Sequence, residues 1–232
     1  MGFMTATAKR GLKLGFVYVA LSFVILIPVV VLSSQKLLNL PTHGVPPNLD
    51  LTTYFAFLSV PLVGLTGVIS ATPVSLLFVH DKNNGTLEYL LSMGMDQTDI
   101  FRGYLGASLL LGSISLFIGL LVEAATGLAS GTSLSLIAAQ IGLTLALGYS
   151  DIALVSILMS AFSSLQRQPV GFNQPMGIAV GALVLSGALV VPALAPTLAL
   201  PVELVIAVMI SLLVVALLFL SGNLIRREKM LP

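Results

Sequence analysis

The chain has 232 residues, of which 57% are hydrophobic and 8% charged, with a net charge of +1 and a mean hydropathy of +1.08. Soluble domains carry roughly a quarter charged residues, so this composition excludes an ordinary water-facing exterior and points to the bilayer as solvent. The absence of cysteine excludes disulfides, thiolate metal sites and a cysteine nucleophile, and His43 and His80 lie too far apart in sequence to offer metal-ligand spacing.

The first residues, Met1 to Gly11, mix Phe3 and Met4 with Lys9 and Arg10. Two readings stand side by side: a short helix on the inner membrane surface or a frayed basic terminus. The apolar run after Lys13 is read as a retained span rather than a cleaved leader, because no small-residue cleavage site succeeds it.

A membrane helix needs about 20 apolar residues, and six stretches satisfy this: Leu14 to Leu32, Tyr54 to Val79, Tyr104 to Thr126, Leu134 to Phe162, Met176 to Leu194 and Val202 to Leu220. The second and fourth exceed one crossing, so they tilt, bend or project beyond the bilayer. Pro61 and Pro73 give the second a reason to bend, since each removes a backbone donor. Between the spans, Ser33 to Thr53 is rich in turn residues. Val191 to Pro201 is too apolar for a solvated tip and is expected to dip back towards the membrane. The expected fold is therefore an all-α integral membrane protein of six transmembrane helices, a single domain over residues 1–232.

Basic residues orient it. Six spans put both ends on one side, and that side receives nine of the ten Lys and Arg residues: Lys9, Arg10, Lys13, Lys82, Arg102, Arg167, Arg226, Arg227 and Lys229. Only Lys36 falls opposite. The positive-inside rule then makes both termini cytoplasmic and the location the cell membrane.

The inner loop between the second and third spans, residues 80–104, is the most informative segment. Asn83-Asn84-Gly85 is turn chemistry. Leu87, Leu90 and Leu91 share one helical face, with Glu88 and Ser92 on another. Met93-Gly94 ends that helix, and Asp96 with Asp99 forms an expected capping box for the next. Four acids (Asp81, Glu88, Asp96 and Asp99) against Lys82 and Arg102 suit a protein partner better than an anionic lipid surface.

This stretch resembles the signature of type-2 ABC-transporter permeases, the membrane subunits related to the ABCG exporters. Their pattern is an acid, three residues, Gly-Thr-Leu-Glu, a variable residue, Leu-Leu and a small residue. It is matched by Asp81, Gly85, Thr86, Leu87, Glu88, Leu90, Leu91 and Ser92, and Ile100 and Gly103 match further on. The sequence departs from the pattern in Asp for Glu at 81, Met93-Gly94 where Pro is common, and Tyr104 where Lys is usual. The resemblance implies that residues 81–99 form an amphipathic coupling helix docking on a separate ATPase subunit, present in two copies. It also implies a second permease copy or a sister permease beside this chain. An inner-surface helix before the first span and a re-entrant segment between the fifth and sixth are implied likewise.

No Gly-x-x-x-x-Gly-Lys-Ser/Thr loop occurs, so no nucleotide-binding domain or cofactor is expected in this chain. ATP and Mg would sit on the partner. No triad or metal cluster is legible, so the chain is not expected to be an enzyme by itself, nor to bind nucleic acid. Asp151 is the one acid well inside a predicted span and stands as a candidate point on a transport path, against a structural or hydrated role. Glu123 and Glu203, near the outer ends of their spans, are expected to be solvated or capping groups. Gly177 and Gly181 form a Gly-x-x-x-Gly pair suited to helix packing, within the subunit or in a dimer. Two other functions compete with the permease reading: an ion- or proton-coupled carrier, and a non-transporting membrane scaffold.

Overall fold

A computed structural model describes residues 2–34, 51–165 and 199–224. Among these the chain is wholly helical, with six helices: α1 (Gly2–Ser34), α2 (Leu51–Asn83), α3 (Thr86–Ser92), α4 (Gln97–Ala129), α5 (Leu134–Leu165) and α6 (Ala199–Leu224). Three of them, α2, α4 and α5, are long and apolar enough to cross a membrane. The expected fifth span, with Gly177 and Gly181, lies outside the described residues, as does the expected dip at Val191 to Pro201 except for its last residues.

Helix α2 is the axis of the bundle. It packs against α1, α4 and α5, and α6 packs on α5. The apolar stretch of α2 is 83% buried, against 50% for α4 and 56% for α5. The outer faces remain apolar: Phe16 is 67% exposed, Leu121 70% and Phe219 85%. Exposed apolar area on this scale is untenable in water and suits contact with lipid. Each of α2 and α4 has 33 residues, about 50 Å of helix, so both outrun a hydrocarbon core about 30 Å thick.

Close approach is built from small residues, as expected where lipid removes the hydrophobic drive between helices. A Cβ on Gly112 would stand 2.9 Å from the carbonyl oxygen of Gly67, and one on Gly64 would stand 3.6 Å from Cα of Gly148. These contacts cross α4 with α2 and α2 with α5. Helix α2 continues through Pro61 and Pro73, and α1 carries a break. There Gly15 leaves helical geometry (φ −123°, ψ 24°) and rests on the Pro73 ring, with which a Cβ would collide. The N-terminal segment before Gly15 is thus a helix, not a frayed end. It lays Thr7, Ala8 and Gly11 inward and leaves Lys9 and Lys13 exposed.

Several hydroxyl groups inside the bundle pair across helices. Ser22 of α1, Ser70 of α2 and Ser115 of α4 form a buried triangle with edges of 3.1, 3.0 and 2.5 Å. Ser150 reaches Ser211 of α6 at 2.9 Å, and Ser113 reaches Tyr149 at 2.9 Å. Such bonds carry specificity between helices whose apolar faces are otherwise interchangeable, each contributing about 0.6 kcal/mol in a membrane.

Candidate functional site

The informative segment is anchored inside the bundle. Helix α2 continues to Asn83, so Asp81 belongs to its final turn rather than to a loop. Its side chain is 1% exposed. Arg10 from α1 donates two hydrogen bonds to it, Nη1 to Oδ2 at 3.0 Å and Nη2 to Oδ1 at 2.8 Å. The Tyr104 hydroxyl of α4 also donates to Oδ2. The paired bonds fit guanidinium to carboxylate as a fork, and they raise the Arg10 pKa against the opposing effect of burial. Phe3 and Phe78 meet the Tyr104 ring edge-on at 5.8 and 5.2 Å. One buried carboxylate therefore joins α1, α2 and α4 at the α3 end of the bundle.

Two glycines bound α3. Gly85 (φ +73°) donates its N–H to Lys82 O at 3.1 Å, closing α2, and its carbonyl accepts from Tyr89 N at 3.0 Å, opening α3. Gly94 (φ +87°) ends α3. Gly94 N bonds to Leu91 O at 3.1 Å and Met95 N to Leu90 O at 3.2 Å. This is the paired reverse-bond helix stop, which wants glycine at its left-handed residue. Its usual companion contact joins the residues taking the place of Leu90 and Met95, and both of these pack on the core.

Between these stops α3 is amphipathic in the expected sense. Leu87 and Leu91 are buried, with Leu87 fully enclosed, and Leu90 and Thr86 are half-buried. Glu88 and Ser92 are exposed, as are Tyr89 and Met93 at 63% and 64%. A large aromatic ring, a thioether and an acid thus share the outward face of α3. The spacing of the leucines predicts the buried face, but it carries no signal for the contribution of Tyr89 and Met93 to the outer one.

Two expectations change. Asp96 does occupy the N-cap position of α4 with extended backbone, but no side-chain capping bond forms. The Asp96 carbonyl alone accepts, from Asp99 N and Ile100 N at 3.0 Å each, so the expected capping box is absent. Glu123 is not a solvated group. It is 1% exposed and accepts from Ser59 Oγ at 2.6 Å, Gln140 Nε2 at 2.9 Å and Thr144 Oγ1 at 3.1 Å. A second polar junction thus joins α2, α4 and α5 at the end remote from α3. The side chain of Glu203 lies outside the described residues.

The two junctions are separated by about 33 Å along α2 (Ser59 to Asp81) and about 28 Å along α4 (Tyr104 to Glu123). That is close to the thickness of a hydrocarbon core, about 30 Å. Asp151 lies between these levels. It is 6% exposed, and no hydrogen-bond or ion-pair partner meets it among the described residues.

No family model, curated protein or solved structure matches the chain. The family resemblance therefore rests on residues 81–103 and the helix layout.

Proposed function

We propose that this chain is the permease subunit of an ATP-driven exporter of the type-2 ABC class, with six spans, both termini in the cytoplasm, and an ATPase subunit docking on α3. Two copies, or one copy and a sister permease, would enclose the path. The observation that supports this most is α3 itself. It is a seven-residue helix whose leucines are locked into the bundle while Glu88, Tyr89, Ser92 and Met93 face outward. Its base is tied through Asp81 to α1 and α4. A load placed on that outer face reaches three long helices at once, because packed interiors transmit displacement rather than absorb it. ATP-driven closure of the docked subunits would then favour an outward-open arrangement through contacts that differ between the two states.

Glu88→Arg reverses the charge of the exposed face, and Gly85→Pro forbids the left-handed turn. Both are expected to detach or uncouple the ATPase while the protein still inserts. The check is co-purification from membranes and substrate-stimulated ATP hydrolysis. A complex unchanged in both variants contradicts the proposal. The carrier reading draws on Asp151, since an unpaired carboxylate at mid-membrane is also what ion coupling uses. Transport that continues without ATP hydrolysis and stops when the ion gradient is dissipated would favour it.

A further inference from the structure

The buried acids of this bundle are not alike. Asp81 has its guanidinium and phenol, and Glu123 has three donors from two neighbouring helices. Asp151 has burial without a partner among the described residues. A carboxylate so placed costs several kcal/mol unless it is paired, protonated or hydrated. Its backbone position narrows the choice. Gly148 and Ile152 face α2, where they meet Gly64 and Gly67, and Ser150 bonds to Ser211 of α6. By the helical repeat Asp151 lies between those two directions, in the seam where α5 meets α2 and α6.

Thr144 is seven residues earlier, on the same face of α5 and about 10 Å nearer the far end. It is one of the donors to Glu123. Asp151 of α5 and Glu123 of α4, the latter held by Thr144 of α5, therefore stand at successive levels beside α2, one between the two junctions and one at the end remote from α3. The described basic residues, Lys9, Arg10, Lys13, Lys82 and Arg102, belong to the opposite end. Between the two acids stands the close approach of Gly64 to Gly148, which keeps them apart in this packing. The groups that contact Glu123 are Ser59, Gln140 and Thr144, none of them titratable.

We propose that Asp151 is a binding point for the positive charge of an apolar cation, and that such a cation leaves past Glu123 once α2 and α5 separate at Gly64 and Gly148. The flanking residues Leu147, Ile152, Leu154 and Val155 are apolar and buried, so the site offers one charge in hydrocarbon surroundings. There an opposite charge is attracted far more strongly than in water. This names the cargo class of the proposed exporter and rests on its being a transporter, whatever the energy source.

The test is equilibrium binding of tetraphenylphosphonium to the purified full-length protein in nanodiscs, with empty nanodiscs subtracted. Tetraphenylborate, of the same shape and opposite charge, is the control. Saturable binding of the cation and none of the anion is expected. Asp151→Asn should weaken binding by about tenfold or more, the loss of one charge-assisted contact, and Asp151→Glu should largely retain it. Unchanged affinity in an Asp151→Asn protein that melts like wild type overturns the proposal. So does the absence of saturable cation binding, or equal binding of the anion. Should the Asn variant fail to fold, labelling of wild-type Asp151 by dicyclohexylcarbodiimide decides: tetraphenylphosphonium must protect it, and unprotected labelling overturns the proposal. Binding needs no ATP. A failure to co-purify with an ATPase therefore leaves this result standing, whereas lost binding in an intact ATPase complex removes only the cargo class.

Discussion

At the scale of single residues, Asp81 carries the largest predicted effect. Arg10→Ala leaves the buried carboxylate without its guanidinium, with the Tyr104 hydroxyl and the His80 ring (Nδ1 3.7 Å from Oδ1) as its remaining neighbours. Orphaning a buried charge costs about 3–5 kcal/mol, and the half-exposed position of Arg10 places this case at about 3 kcal/mol. Thermal unfolding in nanodiscs or detergent should show it, and an Arg10→Ala protein as stable as wild type contradicts the latch. Arg10→Lys should recover only part, because an ammonium cannot form the fork. The sign of the pH dependence comes from the raised Arg10 pKa. A cation raised by its partner keeps its contribution below its unfolded value, which for arginine lies far above neutrality, and loses it only above. Arg10 thus adds no pH dependence in the working range. Gly85→Ala should cost about 1 kcal/mol, the left-handed penalty for a residue with a Cβ. Gly85→Pro, whose ring fixes φ near −65°, should remove the turn altogether.

At the scale of elements, most of the helical layout is legible in the sequence. Apolar runs place α2, α4 and α5, and the i, i+3, i+4 leucines place the buried face of α3. The illegible features depend on partners distant in sequence. The break in α1 falls where Gly15 lies against Pro73, a contact between helices that no local pattern announces. Sequence alone groups Asp81 with the docking surface because the apolar run of α2 ends at Val79. Its real neighbour, Arg10, is 71 residues away. Glu123 reads as solvated because Ser59, Gln140 and Thr144 belong to other helices. The expected capping box is a local exception: Asp96 takes the N-cap position, but its side chain makes no capping bond. Gly15→Leu should force the N-terminal segment of α1 off Pro73, by an overpacking cost of about 1–3 kcal/mol. The corresponding observation is faster hydrogen exchange in residues 2–14 than in α4, and unchanged exchange there would remove Gly15 as the hinge of α1.

For the whole molecule, two polar junctions about 30 Å apart, apolar exteriors between them, and a short exposed helix beyond one of them form a consistent picture. A membrane bundle is clamped at both ends and carries a platform at one. On the proposed function, this platform receives an ATPase. A photo-crosslinking amino acid placed in turn at Tyr89, Met93 and Leu87 tests it in intact cells. Crosslinks to an ATP-hydrolysing subunit are predicted from positions 89 and 93, which face outward, and not from 87, which is enclosed. Crosslinks to no such subunit from either outward position, in a protein that inserts normally, would contradict the account.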